Sequence, residues 1–318
     1  MAIRKRIIQN FHTISAPEII GLSDVNQRSE TLNFVNRIRE LGALYGRSIR
    51  INFSDTRKMI ADGTLLLTAE LMRLKRITGG EIKIRCIEPR NQKVAQVLKQ
   101  IGLFSFMRHR CPIKPTLPDV VNWRFATGNN VDGQQFDAIL GAYDGVFSKA
   151  LSEGLYVGLA EAMTNCHHHA YISIRKDGLN IENEVRDWWM FSQEKDGDLF
   201  VAFCDLGVGI PETLPITRPS RWAEMVKNVG RIEVTDGRAI LEAIEDSRTR
   251  TGAKNRGHGL KQLTDVILAT PGSRLAILSN SGMYVCMDGE EKVFDFSDSV
   301  LGTLIFWRVP LNRDAGRI

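Results

Sequence analysis

At 318 residues the chain is long enough for two domains, each able to bury its own core. A hydrophobic fraction of 43% beside 25% charged residues excludes disordered, collagen-like and disulfide-scaffold classes and is ordinary for a globular protein. No apolar run approaches the ~18 residues needed to cross a bilayer, and the basic start MAIRKRIIQN leads into no apolar signal segment.

The five cysteines (Cys86, Cys111, Cys166, Cys204, Cys286) stand singly, with no C-x-x-C pair for zinc or redox chemistry. A reduced, cytoplasmic setting with no membrane partner is expected. The net charge of +5 hides an asymmetry. Residues 1–118 carry 21 Lys and Arg against 9 Asp and Glu, whereas 119–318 carry 21 against 28. The halves are therefore expected to attract each other, or the first to face an acidic partner, nucleic acid included. A solvated basic surface is the bland alternative.

In chain order, residues 31–45 place Leu32, Val35, Ile38, Leu41 and Leu44 at helical spacing. Residues 48–53 (SIRINF) alternate as a strand. A second helix is expected over 62–77, stopped by Gly79 and Gly80, then a strand over 81–87 and a helix over 91–101 ending at Gly102. Strand and helix alternating in this way predict a small α/β layer domain over residues 1–110. The stretch from INFSDTRKMIADGTLLLTAELMRLKR to Ile101-Gly102-Leu103 resembles a STAS-like domain, the module of anti-sigma-factor antagonists. Phosphorylatable members carry a serine at the start of the helix after the first of these strands. Here Asp62 stands nearest that position and Thr64 is the neighbouring hydroxyl, so a helix N-cap or a weak mimic of phosphoserine is expected of Asp62.

Cys-Pro-Ile-Lys-Pro-Thr-Leu-Pro (111–118), with three prolines in eight residues, reads as an extended linker. The turn-rich stretch 126–135 continues it, which leaves 136–318 as the second domain.

The chemistry is concentrated in that second domain. GLYVGLAEAMTNCHHHAY (154–171) carries an apolar helical face of Leu155, Leu159, Ala162 and Met163. Glu161, Asn165 and His168 or His169 share another stripe, at i, i+4 and i+7 or i+8. An amide oxygen can complete a magnesium shell, and a carboxylate one turn earlier can orient or deprotonate a nucleophile. Adjacent histidines on a helix diverge by about 100°, so His167, His168 and His169 do not read as a zinc site.

DLFVAFCDLGVGIP (198–211) is a buried strand ending in D-x-G-x-G, with Asp205, Gly207 and Gly209. Such a loop puts a carboxylate at the strand end where backbone passes close to a flat ligand. A capped turn is the plain alternative. NRGHGLKQL (255–263), with Gly257, His258, Gly259 and Leu260, is a glycine-rich entry to a helix whose N–H groups suit phosphate. Residues 302–310 (GTLIFWRVP), with Thr303, form a closing strand.

These four motifs, in this order, resemble the ATP-binding domain of the GHKL proteins, the fold of gyrase, MutL, histidine kinases and anti-sigma-factor kinases. The first matches the N-box of the anti-sigma kinases, E-A-x-T-N-x-x-x-H-x-Y, at Glu161, Ala162, Thr164, Asn165, His169 and Tyr171. The resemblance implies an α/β sandwich binding ATP and Mg2+, with Glu161 as general base and Asn165 as the magnesium ligand. It further implies that Asp205 accepts the adenine amino group, and that Gly207, Gly209, Gly257, His258, Gly259, Leu260, Thr303 and His169 complete the site. Residues 212–254, with helical stretches at 220–229 and 237–246, would be its lid. Arg248, Arg250, Lys254 and Arg256 are candidate phosphate contacts. Three functions fit: a regulatory ATPase or serine/threonine kinase acting on a protein partner, a non-enzymatic ATP-gated switch, or an ATP-gated nucleic-acid-associated protein. A homodimer is compatible with each.

Overall fold

The computed structural model describes residues 10–131, 134–135, 140–141, 147, 149–182, 184–229, 234–249 and 259–311. It divides into two compact units, Met1–Leu117 and Pro118–Ile318, both of mixed α/β structure. The connection expected over 111–135 is shorter than its composition suggested. Residues 111–117 belong to the first unit, and Arg124–Gly128 is a strand of the second.

In the first unit, β1 (His12–Ser15), β3 (Ile49–Asn52) and β5 (Ile84–Ile87) form a parallel sheet with β3 central. The short strands β2 (Ile19–Ile20) and β4 (Lys58–Met59) pair separately, also in parallel. Helix α1 (Val25–Arg39) begins six residues earlier than the apolar spacing indicated. Asp24 is its N-cap, accepting from the Asn26 and Gln27 N–H groups, and the first turn, an exposed Val25 followed by Asn26, Gln27 and Arg28, carries no apolar periodicity. A π-turn, Glu40–Leu44, continues it. Helices α2 (Ala61–Ile77), α3 (Gln92–Gln100) and α4 (Leu103–Phe106) follow. Ile49, Ile51, Leu65, Leu66, Leu98 and Phe104 are fully or almost fully buried in this unit.

Asp62 does not cap α2. The N-cap position is Ile60, which makes no side-chain capping bond. Asp62 lies inside the first turn, buried, and accepts from Leu22 N–H (3.2 Å), Ser23 Oγ (2.8 Å) and Gly63 N–H (2.5 Å). Its carboxylate ties the helix start to the preceding loop and presents no exposed charge for a partner to read. Thr64 is likewise fully buried.

The second unit is built on a seven-stranded antiparallel sheet. Its strands are β6 (Arg124–Gly128), β7 (Trp188–Lys195), β8 (Asp198–Asp205), β9 (Arg274–Ser279), β10 (Gly282–Met287), β11 (Glu290–Asp295) and β12 (Thr303–Pro310). They lie in the order β11-β10-β9-β12-β8-β7-β6, so the last strand in sequence is the central one. The described helices are α5 (Pro118–Val121), α6 (Lys149–Asn165), α7 (Ile210–Thr217), α8 (Pro219–Val229), α9 (Asp236–Thr249) and α10 (Gly259–Ala269).

Period-2 alternation sends Val201, Phe203, Ile305 and Trp307 to one face of the sheet, where they meet Leu155, Leu159 and Met163 of α6 and Leu263 and Ile267 of α10. Each such large side chain contributes roughly 1.5–3 kcal/mol by leaving water. The same alternation carries Asp205, Thr303 and Ser279 to the same side one step further along. The register pairs Trp188 with Asp205, Asp205 with Thr303, and Thr303 with Ser279. A row of polar groups thus ends an apolar sheet face beneath the helices.

Helix α9, expected in a lid, sends Ile240 and Ile244 into this core. Leu214, Met225 and Ala239, from α7, α8 and α9, form a small apolar cluster of their own. Of the segment 212–254, α9 is therefore part of the layer on the sheet.

Candidate functional site

Helix α6 supplies the first wall of the site. Leu155, Leu159, Ala162 and Met163 lock one face into the core, which turns Glu161 and Asn165, one turn apart, toward a cleft. Thr164 is occupied elsewhere, its Oγ1 bonded to the Ala160 carbonyl at 2.7 Å. At Cys166–Ala170 the helix widens into a π-turn, a local form that needs an extra residue per turn and is frequent at functional sites.

The turn separates the three histidines. His169 lines the cleft, His168 is exposed, and the His167 ring lies 3.4 Å from the Asn129 carbonyl. Burial, with His168 and Arg218 nearby, pushes the His169 pKa down, so that its imidazole is neutral at pH 7. At the end of the turn, the Ala170 carbonyl accepts from Val208 N–H at 2.7 Å. The Tyr171 hydroxyl donates to the Asp187 carbonyl at 2.6 Å and accepts from Leu206 N–H at 3.2 Å. The end of α6 is thereby stitched to the D-x-G-x-G loop.

That loop is glycine-dependent for steric reasons. A Cβ on Gly207 would lie 2.1 Å from the Ala170 oxygen, and Gly209 has φ +84°. Asp205, 6% exposed, accepts from Gly207 N–H at 3.0 Å and from Thr303 N–H. Burial pushes its pKa up to about 6, while those two N–H groups and the Arg175 charge hold it from rising further.

Asn280, which the sequence reading did not single out, clamps the loop from the other side. It opens the two-residue turn between β9 and β10 with φ +50°, a conformation that asparagine tolerates. Its Nδ2 donates to the Val208 carbonyl at 2.9 Å and its Oδ1 accepts from Gly302 N–H at 3.3 Å. Ser279 adds a bond from Ile210 N–H at 2.8 Å and meets Thr303 Oγ1 at 3.1 Å. An N-S-G turn carries only a hairpin signal in sequence, so this role was not legible there.

Glu161, Asn165, His169, Asp205, Gly209, Leu260 and Thr303 line one cleft, with Phe203, Leu214 and Ile305 among its apolar surfaces. It encloses about 930 Å³ of empty space, a figure that includes open solvent at its mouth. Gly207 is not on its wall. It faces two other clefts on the far side of the loop. Gly259 opens α10, and Gly257 and His258 lie outside the described residues.

Of the cations weighed as phosphate contacts, Arg248 falls in the last turn of α9, and Arg250, Lys254 and Arg256 lie outside the described residues. A different cation, Arg218 at the end of α7, reaches the cleft wall. No local pattern in the sequence marks Arg218, because its place on the wall is set by how α7 packs.

The chemistry of the donor set fits a flat amino-bearing ring. A buried carboxylate sits at the end of an apolar sheet face, with glycine at 209 allowing close approach. Asn165 offers one amide oxygen beside Glu161, which suits a magnesium ion that keeps most of its waters and takes phosphate oxygens. No protein-family model matches the chain, and comparison with curated proteins gives no significant match. Among the described residues no helix is long and apolar enough to cross a membrane.

Proposed function

We propose that the chain is an ATP-binding regulatory protein of the GHKL type, acting on a protein partner as a Mg2+-dependent ATPase or serine/threonine kinase, with a STAS-like first unit. The observation that carries this reading is the convergence of Glu161, Asn165, His169, Asp205 and Thr303 on one cleft, from three stretches of chain far apart in sequence. When bound, ATP with magnesium supplies a phosphorus centre open to attack. Asp205 accepts a hydrogen from the adenine amino group, and Thr303 holds that carboxylate through its own N–H. Asn165 would hold a magnesium ion through its amide oxygen. Glu161 takes the proton from the attacking hydroxyl or water. Neutral His169 and cationic Arg218 flank the polar end. The N–H groups at the start of α10 would receive phosphate, with Gly257, His258, Gly259 and Leu260 as the expected loop.

Titration calorimetry with ATP, with and without Mg2+, tests binding. Release of free phosphate, or of label onto protein, from γ-labelled ATP tests chemistry. Absence of ATP binding at millimolar nucleotide would overturn the reading.

A second reading, a switch that binds ATP without turnover, gains from the first unit. Thr64 is fully buried, and Asp62 is engaged by three donors, so the start of α2 offers no accessible acceptor. Tight Mg2+-ATP binding with no label transfer or phosphate release under any partner condition is the outcome it requires.

A further inference from the structure

Arg175 lies between the π-turn and β7, behind the D-x-G-x-G loop and off the wall of the main cleft. Its side chain is 3% exposed and that of its ion-pair partner Asp177 is 1% exposed, with Nη1 3.5 Å from Oδ2. Its Nε donates to the Leu301 carbonyl at 2.6 Å. Leu301 is a non-glycine residue at φ +52°, and its N–H is held by Ser299 Oγ at 3.1 Å. Gly302 follows at φ +153°, where a Cβ would stand 2.4 Å from the Asp205 carbonyl oxygen. This strained turn delivers Thr303 directly opposite Asp205.

We propose that Arg175 is a positioning residue for the cleft: its grip on Leu301 sets Thr303 against Asp205, and its buried charge keeps the Asp205 carboxyl an acceptor. The proposal rests on the reading above, in which Asp205 takes a hydrogen from an amino group of the ligand. Burial drives this carboxyl toward its protonated form, which would present an O–H to that donor and repel it.

The other titratable groups acting on or beside Asp205 are Cys166 of the π-turn, Tyr171 and, on its own strand, Cys204. Burial pushes Cys166 and Tyr171 upward, so both stay neutral while Asp205 titrates. Glu161, His169 and Arg218 stand elsewhere on the cleft wall. Arg175 is thus the cation that acts on Asp205 from behind, and it does so without touching the ligand.

The test uses the full chain and two readouts. In ligand-free protein, carbon-13 NMR follows the Asp205 carboxyl against pH. In parallel, calorimetry measures ATP affinity from pH 5.5 to 8.5. R175Q is expected to raise the Asp205 midpoint by about one pH unit or more. The pH below which affinity falls moves up with it, and affinity returns at the alkaline end. R175K keeps the charge and loses the fitted bond to Leu301, so its midpoint stays near wild type while affinity drops at every pH. R175Q/D177N removes the Leu301 bond with both charges of the buried pair, and serves if R175Q alone does not fold: affinity should drop in it at every pH. An unchanged Asp205 midpoint in R175Q, or wild-type affinity in the double variant, overturns the proposal, as does a large midpoint change in R175K. A wild type that binds no ATP removes the ligand reading but leaves the ligand-free titration to decide whether Arg175 governs Asp205.

Discussion

Under the proposed function, stability and binding pull in opposite directions at Asp205. Its folded pKa is about 6 against an ordinary 3.8. A raised carboxyl favours the fold fully below the ordinary value, and that contribution is lost as pH rises through 6. At neutral pH the buried charge is therefore a burden on the fold. A rise of this size corresponds to roughly 3 kcal/mol at most, a net figure to which the N–H groups of Gly207 and Thr303 and the Arg175 charge have already contributed. Asp205→Asn should stabilise the second unit by about 1–2 kcal/mol at pH 7.5, with almost no gain at pH 4. Urea denaturation at the two pH values checks this. The same variant should lose ten- to a hundredfold in ATP affinity, because a hydrogen bond to a charged acceptor is worth about 1.5–3 kcal/mol. Unchanged affinity in the folded variant would put the amino group elsewhere. Glu161 and Asn165 separate in another way. Glu161→Gln should leave nucleotide binding within about twofold and suppress turnover by about a hundredfold or more. Asn165→Ala should weaken binding in Mg2+ and leave binding in EDTA unaltered. Calorimetry and phosphate release read both, and equal turnover in wild type and Glu161→Gln removes the general-base role.

Among the elements, α6 matters most, because it carries Glu161 and Asn165 and is held against α10 by two glycines. A Cβ on Gly154 would stand 2.5 Å from Val266 Cγ2, and one on Gly158 would stand 3.0 Å from Leu263 Cβ. The helices can approach this closely only where side chains are missing. Gly158→Val should push α6 away from α10 and cost about 1–3 kcal/mol. Leu260 of α10 also lines the cleft, so nucleotide affinity should fall in the same variant. Gly197→Ala is the control. It alters a β-turn glycine with open space at its Cβ, so any cost comes from its φ of +83° and leaves affinity unchanged. Both melts and both affinities are measurable on the same preparations. A Gly158→Val protein with wild-type affinity would show that the α6–α10 spacing does not shape the cleft.

For the molecule as a whole, the five tryptophans provide a selective reporter. Trp123, Trp188, Trp189, Trp222 and Trp307 all lie in the second unit, and the first unit has none. Tryptophan fluorescence during heating therefore follows the second unit alone, while far-ultraviolet circular dichroism follows both. A ligand bound in the cleft stabilises by RT ln(1 + [L]/Kd), about 2.7 kcal/mol at a hundredfold excess over Kd. Mg2+-ATP should raise the fluorescence-detected melting temperature by several degrees, on the order of 2–4 °C per kcal/mol for a unit of this size. GTP at equal concentration should raise it less, because its ring presents a carbonyl where adenine presents an amino group. An equal rise with both nucleotides would remove Asp205 as the base-reading group.

Much of this arrangement was legible in the sequence because local chemistry specifies it. Local pattern marked α2, α3, α6, α8 and α9 to within a few residues, a glycine-rich entry marked the start of α10, and D-x-G-x-G announced a backbone that only glycine can follow. The proline run marked the region where the chain divides, although β6 sits inside the stretch that composition assigned to the linker, since a five-residue edge strand with a terminal glycine resembles a turn. What sequence could not supply was everything decided by strand order and register. Asp205, Thr303 and Ser279 become neighbours only because the last strand inserts between β8 and β9. Asn280 becomes a clamp, and Asp62 a buried tie instead of a cap, through contacts with chain that is remote in sequence. Arg175 meets the Leu301 carbonyl 126 residues away. Periodicity reports which face a side chain takes. Which partner waits on that face is set by long-range packing, where burial free energy acts between segments that no local pattern connects.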